Sequence, residues 1–148
     1  MEDRFDSFTY LVSSLSRCIR KIKTEEVLEY DLKSPHVACL YYIKRAGKMT
    51  AKELCDVSGE DKGAISRSID YLENKGLVVH DVVEGKRYKT PYILTEKGKC
   101  VASQLCKKIN EALAKAGEGL NDEDRAIMYR SLEIIHNNLK EICQKYWY

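Results

Sequence analysis

From Phe5 onward the apolar residues fall at Phe5, Phe8, Val12, Leu15, Ile19 and Ile22, in steps of 3, 4, 3, 4 and 3. That spacing lays them along one stripe of a helix, close to a heptad repeat. It predicts a helix from about Arg4 to Tyr30, roughly 40 Å long at 1.5 Å per residue. A second stripe closes the chain: Met128, Leu132, Ile135, Leu139, Ile142 and Tyr146 step by 4, 3, 4, 3 and 4. A long core helix would satisfy the first stripe. A helix shared with a partner subunit satisfies it better, because the two stripes hold more apolar surface than a thin central domain can cover. Burial is worth roughly 25 cal/mol per Å², so an obligate dimer is expected.

The chain has 148 residues, room for one domain or two very small ones. Apolar types make up 44%, enough for a core, and charged types 32%, enough to solvate the surface. With 8 Gly and 2 Pro, an all-β fold full of tight turns is excluded in favour of long helices. No apolar run reaches the roughly 20 residues that span a bilayer, so no membrane is implied. Met1-Glu2-Asp3-Arg4 is not the start of a secretion signal, and a cytoplasmic protein is expected. Cys18, Cys39, Cys55, Cys100, Cys106 and Cys143 include no CxxC pair, so reduced thiols are expected rather than a zinc site or a disulfide framework. Net charge is +2. Basic against acidic side chains count 6 to 7 over 1–33, 11 to 9 over 34–98 and 8 to 7 over 99–148. Any nucleic-acid reading must therefore rest on where charges sit.

Between the two stripes the chain is punctuated closely. Ser34-Pro35 reads as an N-cap and a first-turn proline, opening a helix that runs to about Arg45 and stops at Gly47. Thr50-Ala51-Lys52-Glu53 fits a capping box for a short helix to about Val57. A further helix starts near Asp61 or Lys62 and ends at Gly76, with Ile65, Ile69 and Leu72 as its buried stripe. Leu77–Val83 and Tyr88–Leu94 read as strands around a Glu84-Gly85-Lys86 turn, and Pro91 suggests an exposed edge. Thr95 caps a helix running to Gly117 or Gly119, and Asn121-Asp122-Glu123-Asp124 opens the last one.

Three short helices followed by a hairpin is the order of a winged helix-turn-helix. Opposite its apolar stripe, the third of these helices shows Lys62, Gly63, Ala64, Ser66 and Arg67. Small residues allow close approach to a major groove, and Arg67 can bridge to guanine or phosphate. Asp70 and Glu73 follow where the helix would leave the groove. The hairpin tip adds Lys86, Arg87 and Lys89, suited to phosphates or an adjacent minor groove. Ordinary solvated charges would account for each residue singly; the order of elements, the residue sizes and the charge placement together favour DNA.

Asp61-Lys62-Gly63-Ala64-Ile65-Ser66-Arg67, then Leu72-Glu73-Asn74-Lys75-Gly76-Leu77-Val78 and Leu94-Thr95-Glu96-Lys97-Gly98, resemble the recognition-helix and wing segments of the MarR family of bacterial transcription regulators. The resemblance covers nearly the whole chain. It implies a mainly α fold with a small β-hairpin wing, a winged helix-turn-helix at 34–98 flanked by long dimerisation helices at 1–33 and 99–148. It implies a homodimer on a pseudo-palindromic operator, usually a repressor, released by a small and often aromatic or phenolic effector. The family's groove-reading positions fall on Lys62, Gly63, Ala64, Ser66 and Arg67. The wing departs from the family pattern: Lys86, Arg87 and Tyr88 stand where an acid, a basic residue and an arginine are usual, and Arg87 is the side chain expected to reach the minor groove. The effector cleft of the family would be lined here by Arg17, His36 and Tyr41.

Other chemistry finds less support. His36, His80 and His136 lie on separate elements, and no Gly-rich phosphate loop, GxSxG or HExxH occurs, so an enzyme is not expected, nor a cofactor. Glu53-Leu54-Cys55 resembles the start of the metal-binding helix of ArsR-type metal sensors, but Val57 stands where the second cysteine belongs, and no metal is expected. Cys18 beside Arg17 or Arg20 is the candidate for an oxidant-sensing thiol, and a thiol-based oxidant-sensing or metal-sensing winged-helix regulator is the alternative to a ligand-released one.

Overall fold

The computed structural model describes residues 4–82 and 90–146. Its elements in chain order are α1 (Arg4–Glu25), a 3-10 turn (Leu28–Tyr30), α2 (Ser34–Ala46), α3 (Ala51–Ser58), α4 (Lys62–Asn74), β1 (Val78–His80), β2 (Tyr92–Leu94), α5 (Glu96–Ala116) and α6 (Asp122–Gln144). The fold is mainly α with a two-stranded antiparallel hairpin. It divides into two compact units, Met1–Glu111 and Ala112–Tyr148.

The core of the first unit lies where α2, α3 and α4 meet. Val37, Leu40 and Ile43 of α2, Leu54 of α3, and Ile65, Ile69 and Leu72 of α4 are all buried. Leu77 and Val78 follow from the hairpin, and Ala102 and Leu105 from α5. The expected α4 stripe is therefore the buried one. Caps set the helix starts. The Thr50 hydroxyl accepts the Glu53 amide at 3.2 Å while the Glu53 carboxylate accepts the Thr50 amide at 2.7 Å. Asp61 accepts the Ala64 amide at 2.8 Å, and Asn121 accepts the Asp124 amide at 2.8 Å.

Three readings are corrected. The first helix does not reach Tyr30; it ends at Glu25. Val27 and Leu32 are each at most 2% exposed, and burying both turns the chain through the 3-10 segment into Asp31, the one described non-glycine residue at positive φ (54°). An Asp tolerates this left-handed conformation better than most side chains. Ser34 is not the N-cap of α2. Lys33 holds that place, because its amide donates to His36 Nδ1 at 2.9 Å and so draws the helix start back by one residue. Finally, the strand after Pro91 is not an open edge. Val78, Val79 and His80 pair with Leu94, Ile93 and Tyr92 on one side. Met49 bridges Tyr92 on the other, with N···O distances of 3.1 and 2.7 Å. The outer parts of the two predicted strands, residues 83–89, lie outside the described residues.

The junction of hairpin and α5 is tight. Thr95 donates its hydroxyl to the Gly76 carbonyl at 2.6 Å and accepts the Gly98 amide at 2.9 Å, as the expected cap of α5. Its own amide donates to the Leu77 carbonyl. A Cβ at Gly98 would stand 1.9 Å from that carbonyl oxygen, so only glycine lets the helix come this close. Gly98→Ala must push backbone against backbone. We expect it to lower unfolding free energy by about 1–3 kcal/mol, the usual range for overpacking, read as a lower urea midpoint. An unchanged midpoint would show that the junction yields freely.

Candidate nucleic-acid interface

On α4 the sequence pattern becomes geometry. With Ile65, Ser68, Ile69 and Leu72 buried, Lys62, Gly63, Ser66 and Arg67 face solvent and Ala64 is half-buried between the faces. The Arg67 guanidinium lies back along the helix start. A Cβ added to Gly63 would meet its Nη1 at 3.2 Å and the Asp61 Oδ1 at 3.2 Å. Gly63 thus leaves the room in which the arginine rests. Of the two acids on the later turns, Asp70 is exposed, and the Glu73 carboxylate is drawn to His80 Nε2 of β1 at 3.6 Å.

The hairpin base is well held. His80 and Tyr92 rings approach to 4.3 Å, Thr90 meets His80 Nδ1 at 3.0 Å, and Lys48 pairs with Asp81 at 3.5 Å. Lys86, Arg87, Tyr88 and Lys89 at the tip lie outside the described residues.

The candidate effector residues Arg17, His36 and Tyr41 sit on α1 and α2. Arg17 is exposed on α1. Tyr41 is 43% exposed on α2, edge-on to Tyr42. His36 lines a depression of about 540 Å³ between the start of α2 and α4, which Arg67 also lines. Its ring stacks on Tyr71 at 4.3 Å, with 5° between planes.

Around this stack sits a cluster that sequence reasoning missed. The Tyr71 hydroxyl donates to Asp31, whose backbone carbonyl and carboxylate are both within reach. Lys75 pairs with the same carboxylate at 2.8 Å. The Lys75 ammonium, then the Tyr71 hydroxyl, hold the Asp31 carboxyl below its usual range, and Lys75 is raised in turn. One residue earlier, the Tyr30 hydroxyl donates to Gln104 of α5 at 2.7 Å, and Glu29 pairs with Lys108. Tyr71 and Lys75 are four apart on α4, which signals a shared face. Nothing local signals that Asp31, forty residues earlier, would join them.

Cys18, Cys100 and Cys143 are exposed. Cys39 is buried, and burial pushes its thiol up to about 12, so it is no nucleophile at neutral pH. Cys55 is half-buried and packs on the core. No metal-ligating cluster occurs among the described residues. No described helix is long and apolar enough to cross a membrane.

A helix pair crossed by a third helix with one small, cationic, exposed face, and followed by a hairpin, defines a winged helix-turn-helix protein. Comparison with known proteins agrees. The MarR family model matches residues 30–87. The chain is 29% identical over 118 residues to an uncharacterized HTH-type transcriptional regulator, YwoH of Bacillus subtilis, spanning 77% of this chain and 82% of that one. Its fold matches a MarR transcriptional regulator from Methanosarcina mazei at TM-score 0.84 and 24% identity, over 95% of this chain and 93% of the other. It also matches a MarR family regulator from Listeria monocytogenes complexed with 26mer DNA, at TM-score 0.83 and 20% identity, over 95% and 91%. Residues 30–87 thus match the MarR family, and over nearly the whole chain the fold is similar to that of MarR regulators.

The His36 contact carries a pH dependence. Burial first, then Lys33 and Lys75, lower its pKa against the opposing pull of Asp31. The fold thus favours the neutral ring, whose Nδ1 must stay unprotonated to accept the Lys33 amide. The contribution to stability is complete above the ordinary histidine value, about 6.5, and is lost as pH falls from there through the lowered folded value. His36→Gln keeps an acceptor but does not titrate. Thermal melts between pH 7 and 5 should show the wild type losing more stability than this variant; parallel curves would remove His36 from the account.

Proposed function

We propose that the protein is a homodimeric repressor that reads a pseudo-palindromic operator with residues 34–98 and dimerises through 1–33 and 99–148. The observation that carries this reading is the division of α4 into a buried apolar face and an exposed face of Lys62, Gly63, Ser66 and Arg67. In this reading that face enters the major groove, Ala64 permits close approach, and Arg67 pairs with guanine. Lys86, Arg87 and Lys89 neutralise flanking phosphates, with Arg87 toward the minor groove. The Listeria regulator of similar fold, whose structure is a complex with 26mer DNA, lends support.

The dimer is supported by the apolar stripes. Phe8, Val12, Leu15 and Ile19 of α1 are each at least 36% exposed, and so are Met128, Leu132, Leu139 and Ile142 of α6. Side chains of this size are left open to water in a single chain only at some cost, and a second copy would remove it. Two protomers would set their recognition helices about 34–36 Å apart, one DNA turn.

Selection of bound sites from a random DNA pool tests the reading. A single enriched inverted repeat is expected. Arg67→Ala should then weaken operator binding by about 1–3 kcal/mol and relax base preference, whereas Lys86→Ala or Arg87→Ala should weaken all sequences evenly and flatten the salt dependence. No enrichment, or an Arg67→Ala variant with unchanged selectivity, would overturn the assignment.

We further infer release by a small phenolic ligand meeting Arg17, His36 and Tyr41. By linkage, operator and ligand must weaken each other by the same factor. Titrating salicylate-like phenols with and without operator, with solution mass followed throughout, should show unequal affinities and a persistent dimer. Equal affinities across a broad panel would move the trigger to oxidation of the exposed Cys18; a stable monomer would remove the dimer as well.

A further inference from the structure

The depression between the start of α2 and α4 has a composition that a ligand-free surface does not require. Lys33, His36 and Arg67 line it, with Asp31, Ala64 and Tyr71. Its one acid is already matched, because Asp31 pairs with Lys75 at 2.8 Å. Among the described residues neither Lys33 nor Arg67 takes part in an ion pair. The depression therefore presents the positive charge of Lys33 outside any described ion pair, at the N-terminal end of a 13-residue helix, where the backbone dipole adds to it.

His36 lines the depression and has a donor to offer. Its Nδ1 is occupied by the Lys33 amide, so the neutral ring carries its proton on Nε2. The stack on Tyr71 and the Tyr71–Asp31 bond keep the ring from turning.

Position supplies the occupant. An α-helix with its side chains is roughly 10–12 Å across and a B-DNA major groove about 12 Å wide. A helix in that groove fills it, and whatever flanks the helix meets a sugar-phosphate wall. Ala64 and Arg67 belong both to the groove-facing part of α4 and to the lining of the depression. We propose that this depression seats a DNA backbone phosphate, held by Lys33 and the His36 Nε2–H beside Arg67, and that Lys33 is a DNA-contact residue at the start of α2. The proposal rests on α4 entering the major groove. It adds a contact that positions the protein on the duplex without reading sequence.

The test uses the full-length protein with the selected operator and with an unrelated duplex of equal length. Lys33→Gln should weaken both by the same factor and reduce the slope of log K against log salt by about 0.9 for each protomer bound. Lys33→Arg should restore affinity and slope. Lys107→Gln, the same charge change on an exposed stretch of α5, should alter neither. A methylphosphonate placed at one backbone position per half-site should weaken the wild type and leave Lys33→Gln unaffected. Wild-type affinity in Lys33→Gln, or equal losses in Lys33→Gln and Lys107→Gln, would overturn the phosphate seat alone. A wild type that selects no site would overturn the major-groove reading and the seat with it.

Discussion

Everything the interface can do depends on how α4 is buried. Ile65, Ile69 and Leu72 are drawn into the space between α2 and α3, and each is at most 1% exposed. A helix pinned along one stripe cannot turn about its axis without pulling that stripe into water, at roughly 1.5–3 kcal/mol for each large side chain. The face presented outward is therefore decided by the face held inward. Lys62, Ser66 and Arg67 are exposed because Ile65, Ile69 and Leu72 are not.

Burial sets rotation, but the position of α4 along the chain's path is set by polar contacts. Three consecutive residues carry them. Glu29 and Tyr30 hold Lys108 and Gln104 of α5, and Asp31 holds Tyr71 and Lys75 of α4. A left-handed Asp31 makes the alternation geometrically available, because it reverses the chain between one set of partners and the next. All of these groups are at least partly solvent-exposed, so their worth lies in geometry more than in Coulomb energy. They give the connection between α1 and α2 a defined shape.

Much of this was legible beforehand where the signal was local. The Thr50–Glu53 box, the helix starts near Asp61 and Asn121, the Thr95 cap and the α4 stripe each depend on residues within a turn or two of one another. The order of those elements was enough to suggest a winged helix-turn-helix. Reading failed where distant residues intervene. The break after Glu25 has no glycine or proline to announce it; Val27 and Leu32 impose it by being needed inside. Ser34 looks like the better cap for α2, and His36 overrides it from inside the helix.

The sequence by itself determined the helical periodicities, the caps and the residue types on each face, because these follow from side-chain spacing at 3.6 residues per turn. It thereby determined which side chains α4 would offer. Only the tertiary structure decided that His36, Arg67, Tyr71 and Lys33 surround one depression, that Asp31 answers Lys75, and that Gly98 lies against Leu77. Such meetings depend on where separately formed elements are carried by packing, and a one-dimensional pattern holds no record of that distance.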